Sequence, residues 1–195
     1  MITGLYKKLL LMLFLAGGVF LCPAQSFVLV PDASQLQVEG SSTLHDWEMK
    51  AEKMEGKLTA EFQDEELQNI TFLQLLIDAQ NLRGEKEGMN EDAHEALQTD
   101  LYKHIQYDLQ NLKDLNCNTS DCTGTIEGYL TVAGNRKPVP VEIEIKIHDN
   151  RIILSGSKDL EMSYFGIEPP KALFGLLKAD NAVNVTFNLI FTKQE

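Results

Sequence analysis

Basic residues are scarce in this chain of 195 residues: 17 Lys and Arg stand against 29 Asp and Glu, a formal net charge of −12. A surface of that sign repels a phosphate backbone, which argues against nucleic acid as a partner and against tight electrostatic binding to anionic lipid head groups. It leaves apolar lipid tails open. Beyond the first two dozen residues no apolar run is long enough to cross a bilayer as a helix, so stable membrane insertion is not expected. No glycine-rich loop follows a strand and opens a helix, and nucleotide cofactors have no support. The four histidines, His45, His94, His104 and His148, show neither the i, i+2 spacing of a strand pair nor the i, i+4 spacing of a helical one. No metal site and no cofactor are expected from them.

Cysteine is also rare, with three in all. One of them, Cys22, falls in an N-terminal segment that has to be set aside before any fold argument. Lys7 and Lys8 precede an apolar run from Leu9 to Leu21, and "CPA" supplies small residues just before Gln25. That pattern reads as a secretory signal peptide over residues 1–24, cleaved after Ala24, with residues 25–195 left as a single domain in the periplasm or outside the cell. Lipid attachment at Cys22 is disfavoured, because Leu21 stands where a small residue is wanted. Cys117 and Cys122 remain after cleavage. An even count in an oxidising compartment points to one disulfide, with free thiols and metal or redox use of this C-x4-C pair as lesser alternatives.

What the mature chain does have is alternation. In "VPVEIEIKIH" Val139, Val141, Ile143, Ile145 and Ile147 form one wholly apolar face, and "VNVTFNLIFT" repeats the device with Val183, Val185, Phe187, Leu189 and Phe191. Further strands are expected at "SQLQVEGSS", "WEMKAEKMEGKLTAEF", "ITFLQLLIDAQNL", "HIQYDLQNL", "GTIEGYLTVAG" and "RIILSGSKDL". Eight strands joined by short connections leave no room for crossover helices. The fold class is therefore all-β, a single antiparallel sheet closed on itself.

Two segments interrupt the meander. "EGMNEDAHEALQTDLYKH" spaces Met89, Ala93, Ala96, Leu97 and Leu101 as a short amphipathic helix, with Asn90 as the expected N-cap and His94 on the polar side. In "SYFGIEPPKALFGLLKAD" the pair Pro169-Pro170 halts any strand ahead of a brief apolar stretch that could form a helical turn. Long connections of this kind often shape a binding mouth. Cys117 and Cys122 bracket "NTSD" between two strands, so a hairpin there faces them across the strand ends. So small a ring stabilises by roughly 2 kcal/mol.

His45-Asp46 invites a catalytic reading. Neighbours on a strand point to opposite faces, however, so the pair cannot act as a hydrogen-bonded His-Asp couple, and Ser41, Ser42 and Thr43 lack a nucleophile-elbow context. The simpler reading is structural: Trp47 packs at one end of the core while His45 and Asp46 bond turn groups, with a ligand contact for His45 at a cavity mouth as the alternative. Pattern alone does not separate a filled barrel from one that encloses a small apolar ligand.

With these residues laid out, the chain resembles the lipid- and polyisoprenoid-binding YceI-like family of exported bacterial proteins. The resemblance covers the mature chain and rests on four segments in order: "VEGSSTLHDWEMKAEKMEGKLT", the helical insert at "MNEDAHEALQ", "EGYLTVAGNRKPVPVEIEI", and "MSYFGIEPPKALFGLLKADNAVNVTFNLIF". A proline that many members carry is missing at Lys103-His104, and the Cys117-Cys122 loop lies outside the family pattern. The resemblance implies a lipocalin-like barrel whose interior holds a polyisoprenoid, an isoprenoid quinone-like lipid or a fatty acyl chain. The lining residues are then expected to be Leu130, Val141, Ile143, Ile145, Ile147, Val185, Phe187 and Leu189, with His45, Tyr164, Phe165 and Phe174 at the entrance and Asp46 and Trp47 structural.

The function expected is an exported binding protein that carries, stores or sequesters such a lipid, not an enzyme. A ligand-free envelope stress or protein-interaction module is the alternative, and a His45-dependent hydrolase a more distant one. Nothing in the pattern fixes the oligomeric state. A homodimer is one arrangement the barrel edges allow.

Overall fold

The computed structural model describes residues 24–118, 120–172 and 177–194. The expected leader, with Lys7, Lys8 and Cys22, lies outside the described residues, as do Phe174 and most of the stretch after Pro169-Pro170. In chain order the strands are β1 (Ala24–Leu29), β2 (Gln35–Ser42), β3 (Trp47–Ala51), β4 (Met54–Gln63), β5 (Glu66–Asp78) and β6 (Leu82–Arg83). After the helix α1 (Glu87–Leu97) come β7 (His104–Asn118), β8 (Asp121–Val132), β9 (Asn135–Pro138), β10 (Val141–His148), β11 (Arg151–Glu161), β12 (Lys171–Ala172) and β13 (Leu177–Lys193).

Eight strands close a barrel in the order β1-β4-β5-β7-β8-β10-β11-β13, with β13 returning to pair with β1. Every pairing is antiparallel. The wall then extends past β1, because β13 also pairs with β2, β2 with β3, and β3 with β6. Since β1 leads into β2, β3 into β4 and β5 into β6, three staves of the barrel are each broken in two.

The first break is forced by Pro31, which has no N–H to give to a ladder. Across it, the Val30 amide donates to the Ile190 carbonyl at 2.8 Å, and the Ile190 amide finds the Ser34 hydroxyl at 2.9 Å in place of a backbone partner. The hydroxyl donates in turn to the Val30 carbonyl at 2.8 Å. One side chain thus repairs the ladder where the strand jogs.

The eight expected strands are all present, with differences of extent. β1 carried no expectation. "WEMKAEKMEGKLTAEF" is two strands, β3 and β4, because Glu52 and Lys53 leave the ladder. His45 and Asp46 sit in a turn between β2 and β3, not on a strand. The helix is where the spacing puts it but ends at Leu97, so Leu101 lies beyond it and is exposed, and Asn90 is not its cap. Lys86 holds that position without a side-chain bond, and Asn90 is buried one turn in.

The barrel is filled at one end only. Phe27, Leu58, Ile70, Ile145, Ile152 and Phe191 are at most 3% exposed and pack the end where β7 turns into β8. Cys117 and Cys122 pair across that hairpin and are joined as a disulfide. The opposite end is hollow.

Candidate ligand cavity

Above the packed half the interior opens into a cavity of about 670 Å³. It is bounded by the later residues of β5, β8 and β11 and the early residues of β7, β10 and β13, with β2 and β3 completing the wall. Leu73, Leu75 and Ile77 of β5 and Ile126 and Leu130 of β8, on either side of β7, line one part of it. Most groups on the wall are apolar, so a hydrocarbon chain can fill most of the space without stripping water from polar groups.

The helix closes the upper side. Met89, Ala93, Ala96 and Leu97 present its apolar stripe to the cavity. Polar ties hold it there: the Asn90 carboxamide accepts from the Gly84 amide at 2.7 Å, and His94 Nε2 donates to the Leu82 carbonyl at 3.2 Å. His94 is therefore half-buried against β6 and not on a solvated face. Gln98 ends the helix in a left-handed conformation with φ of 52°.

Tyr107 is a strand residue in the wall with a buried polar atom to place. Its hydroxyl donates toward the carbonyls of Val139 at 3.1 Å and Ile126 at 3.3 Å, joining β8 to the chain entering β10. Burial, and then the nearby Glu127 charge, push the phenol well above its ordinary range, so it stays a neutral donor. Room for the ring comes from Gly128, where a Cβ would lie 2.6 Å from the phenol carbon.

The segment from Gly40 to Trp47 forms a corner of the mouth. Ser42 Oγ donates to the His45 carbonyl at 2.7 Å and accepts from the amides of Leu44 and His45, which shapes the turn. The Thr43 amide reaches across to the Lys178 carbonyl at 3.1 Å. Trp47 is half-buried, pairs opposite Gly40, and donates from its indole to the Ser41 carbonyl at 3.1 Å. A Cβ on Gly40 would lie 2.3 Å from the indole ring. His45 is exposed on the cavity rim, and its Nδ1 donates to the backbone carbonyl of Asp46 at 2.8 Å, not to a carboxylate. Asp46 is exposed.

Of the residues expected to line a cavity, Leu130, Val141, Val185, Phe187 and Leu189 are on its wall. Ile143, Ile145 and Ile147 are not: they continue the β10 stripe below the cavity, into the packed half. Phe165 is in the wall and buried. Tyr164 stands outside it, 44% exposed, edge-on to Phe165 with ring centroids 5.3 Å apart. The part of the wall made by β2, β3 and β5 was not anticipated. Their alternation was visible, but only the closure of the barrel shows which stripes share one interior. Among the described residues, no three His, Cys, Asp or Glu side chains group closely enough to hold a metal ion.

Comparison with known proteins follows the same outline. None of the curated proteins compared with the chain matches it. Among solved structures, the barrel is similar to BcnA of Burkholderia cenocepacia, at a TM-score of 0.69 and 13% identity over 83% of this chain and 98% of that one. A polyisoprenoid binding domain from Saccharophagus degradans, implicated in plant cell wall breakdown, is similar at 0.68 and 13% identity, over 87% and 99%. The YceI protein of Campylobacter jejuni is similar at 0.54 and 14%, over 72% and 81%. At such identities the likeness is one of fold. The family model for the YceI-like domain matches residues 27–191, from the second half of β1 almost to the end of β13, and the chain belongs to that family.

Proposed function

We propose that the protein is an exported carrier that holds one long apolar chain, isoprenoid or acyl, in the hollow half of its barrel. The observation that carries this reading is the cavity of about 670 Å³ with an apolar wall. Taking the ~30 Å³ share of a liquid water as the size of a methylene, it has room for on the order of 20 chain carbons. At about 0.8 kcal/mol per buried CH₂, ten of them contribute roughly 8 kcal/mol before the entropic cost of binding, enough for micromolar affinity without polar specificity. Membership of a family of binding proteins and the polyisoprenoid binding named for the Saccharophagus domain support the same reading.

Export follows from the leader pattern, and cleavage after Ala24 would leave β1 paired with β4 from Gln25 onward. The role in the envelope is carriage, storage or sequestration of the chain. The test is titration of the delipidated protein with a fluorescent long-chain probe, beside a Val185→Trp variant that fills the hollow half. Saturable binding by the parent at one site, lost in the variant, is expected. Equal binding by both would place the chain elsewhere, and no binding by either would leave the barrel as an interaction module.

A further inference from the structure

In a chain with so few basic residues, three lysines line the cavity: Lys86, Lys158 and Lys178. Lys86, just ahead of α1, and Lys178, at the start of β13, are exposed at the rim, and the charge of Lys178 also acts on Glu168. Lys158 is different. It belongs to the inward stripe of β11, which runs Ile152, Leu154, Gly156, Lys158, Leu160, and it pairs opposite Val185, itself opposite Val38. Both valines are on the cavity wall.

Lys158 is half-buried, yet its ammonium makes no hydrogen bond or ion pair with any described residue. Two acids share the wall, Asp92 of α1, half-buried, and Glu161, exposed at the end of β11, and neither is paired with it. A lysine set on a stripe of valines and leucines, with no partner for its charge, does nothing for the fold that an apolar side chain in place of its stem would not do. Its effect falls on whatever fills the cavity. A chain with a neutral head would strip water from the ammonium and return nothing, whereas an acidic head would form a charge-assisted hydrogen bond where the dielectric is low.

We propose that Lys158 anchors the head group of the ligand, which is a single-chain amphiphile ending in a carboxylate or phosphate and seated tail-first, with Lys86 and Lys178 drawing the anion to the mouth. This rests on the carrier reading above and adds the chemical class of the ligand's polar end.

The experiment compares one chain with three heads, hexadecanol, palmitate and hexadecyl phosphate, bound to the delipidated full-length mature protein and to Lys158→Met and Lys158→Arg variants whose melting curves match the parent's. A charge-assisted bond predicts that one or both acids bind roughly ten- to a hundredfold more tightly than the alcohol. That ratio should fall to within about twofold in Lys158→Met and persist in Lys158→Arg, and whichever acid shows it identifies the head as carboxylate or phosphate. Equal binding of all three heads by the parent, or a preference that survives in Lys158→Met, would overturn the anchor and leave the carrier standing. Failure of all three to bind would overturn both.

Discussion

Tyr107 shows how much of the cavity depends on single contacts. Its hydroxyl is the partner of the Val139 carbonyl, next to Pro140, which has no amide to extend the ladder. Tyr107→Phe should therefore cost about 1–3 kcal/mol, the range for stranding a buried acceptor, read as a lower urea midpoint with unchanged slope. Gly128→Ala should do at least as much harm through its clash with the same ring. Asp78 offers a test in pH. Burial raises its pKa, but hydrogen bonds from Asn81, Lys53 and the Gln80 amide outweigh this and hold the carboxyl below its ordinary value. Its contribution is thus fully present above the unfolded-state value of about 3.9 and lost as pH falls through the lower folded one. Stability measured from pH 6 down to pH 2 should fall less steeply in Asp78→Asn than in the parent; parallel curves would remove Asp78 from the account.

At the scale of elements, α1 is a helical part of a wall built mainly of strands. It faces the cavity with an apolar stripe and is tied back by Asn90 and His94 to the segment around β6. Asn90→Ala should leave the barrel intact while raising amide exchange over residues 84–97 and speeding release of a bound chain. Unchanged exchange there would mean that packing alone seats the helix. Asn90 also shows why local sequence rules misplaced a detail: an asparagine near a helix start reads as a cap, and only the tertiary position of Gly84 reveals what it bonds. By contrast, the break between β3 and β4 was open to a closer reading: the apolar positions are odd through Trp47, Met49 and Ala51 and even through Met54, Leu58, Ala60 and Phe62, a change of phase across Glu52 and Lys53.

For the whole molecule, the class, the closed antiparallel barrel, the helical insert and the disulfide were all legible, since each rests on local period or spacing. What alternation does not encode is depth along the barrel axis. Ile145 and Val185 lie on equally regular stripes, yet one is fully buried in the packed half and the other borders the cavity. Lys158 was legible in principle, as the lone charge on the inward positions of "RIILSGSKDL". The division predicts a contrast: Ile145→Ala should cost about 2–5 kcal/mol by leaving a void in a filled core, while Val185→Ala should cost under about 1 kcal/mol, because it only enlarges an existing space. Similar losses at both sites, measured by chemical denaturation, would mean that the barrel is packed throughout.

Native mass spectrometry of the protein purified from the envelope of cells that make it, followed by organic extraction, tests the central claim most directly. The account predicts a chain beginning at Gln25 that carries one adduct, released as a long-chain lipid. A bare chain whose mass stays the same after incubation with palmitate, hexadecyl phosphate and an isoprenoid quinone would contradict it.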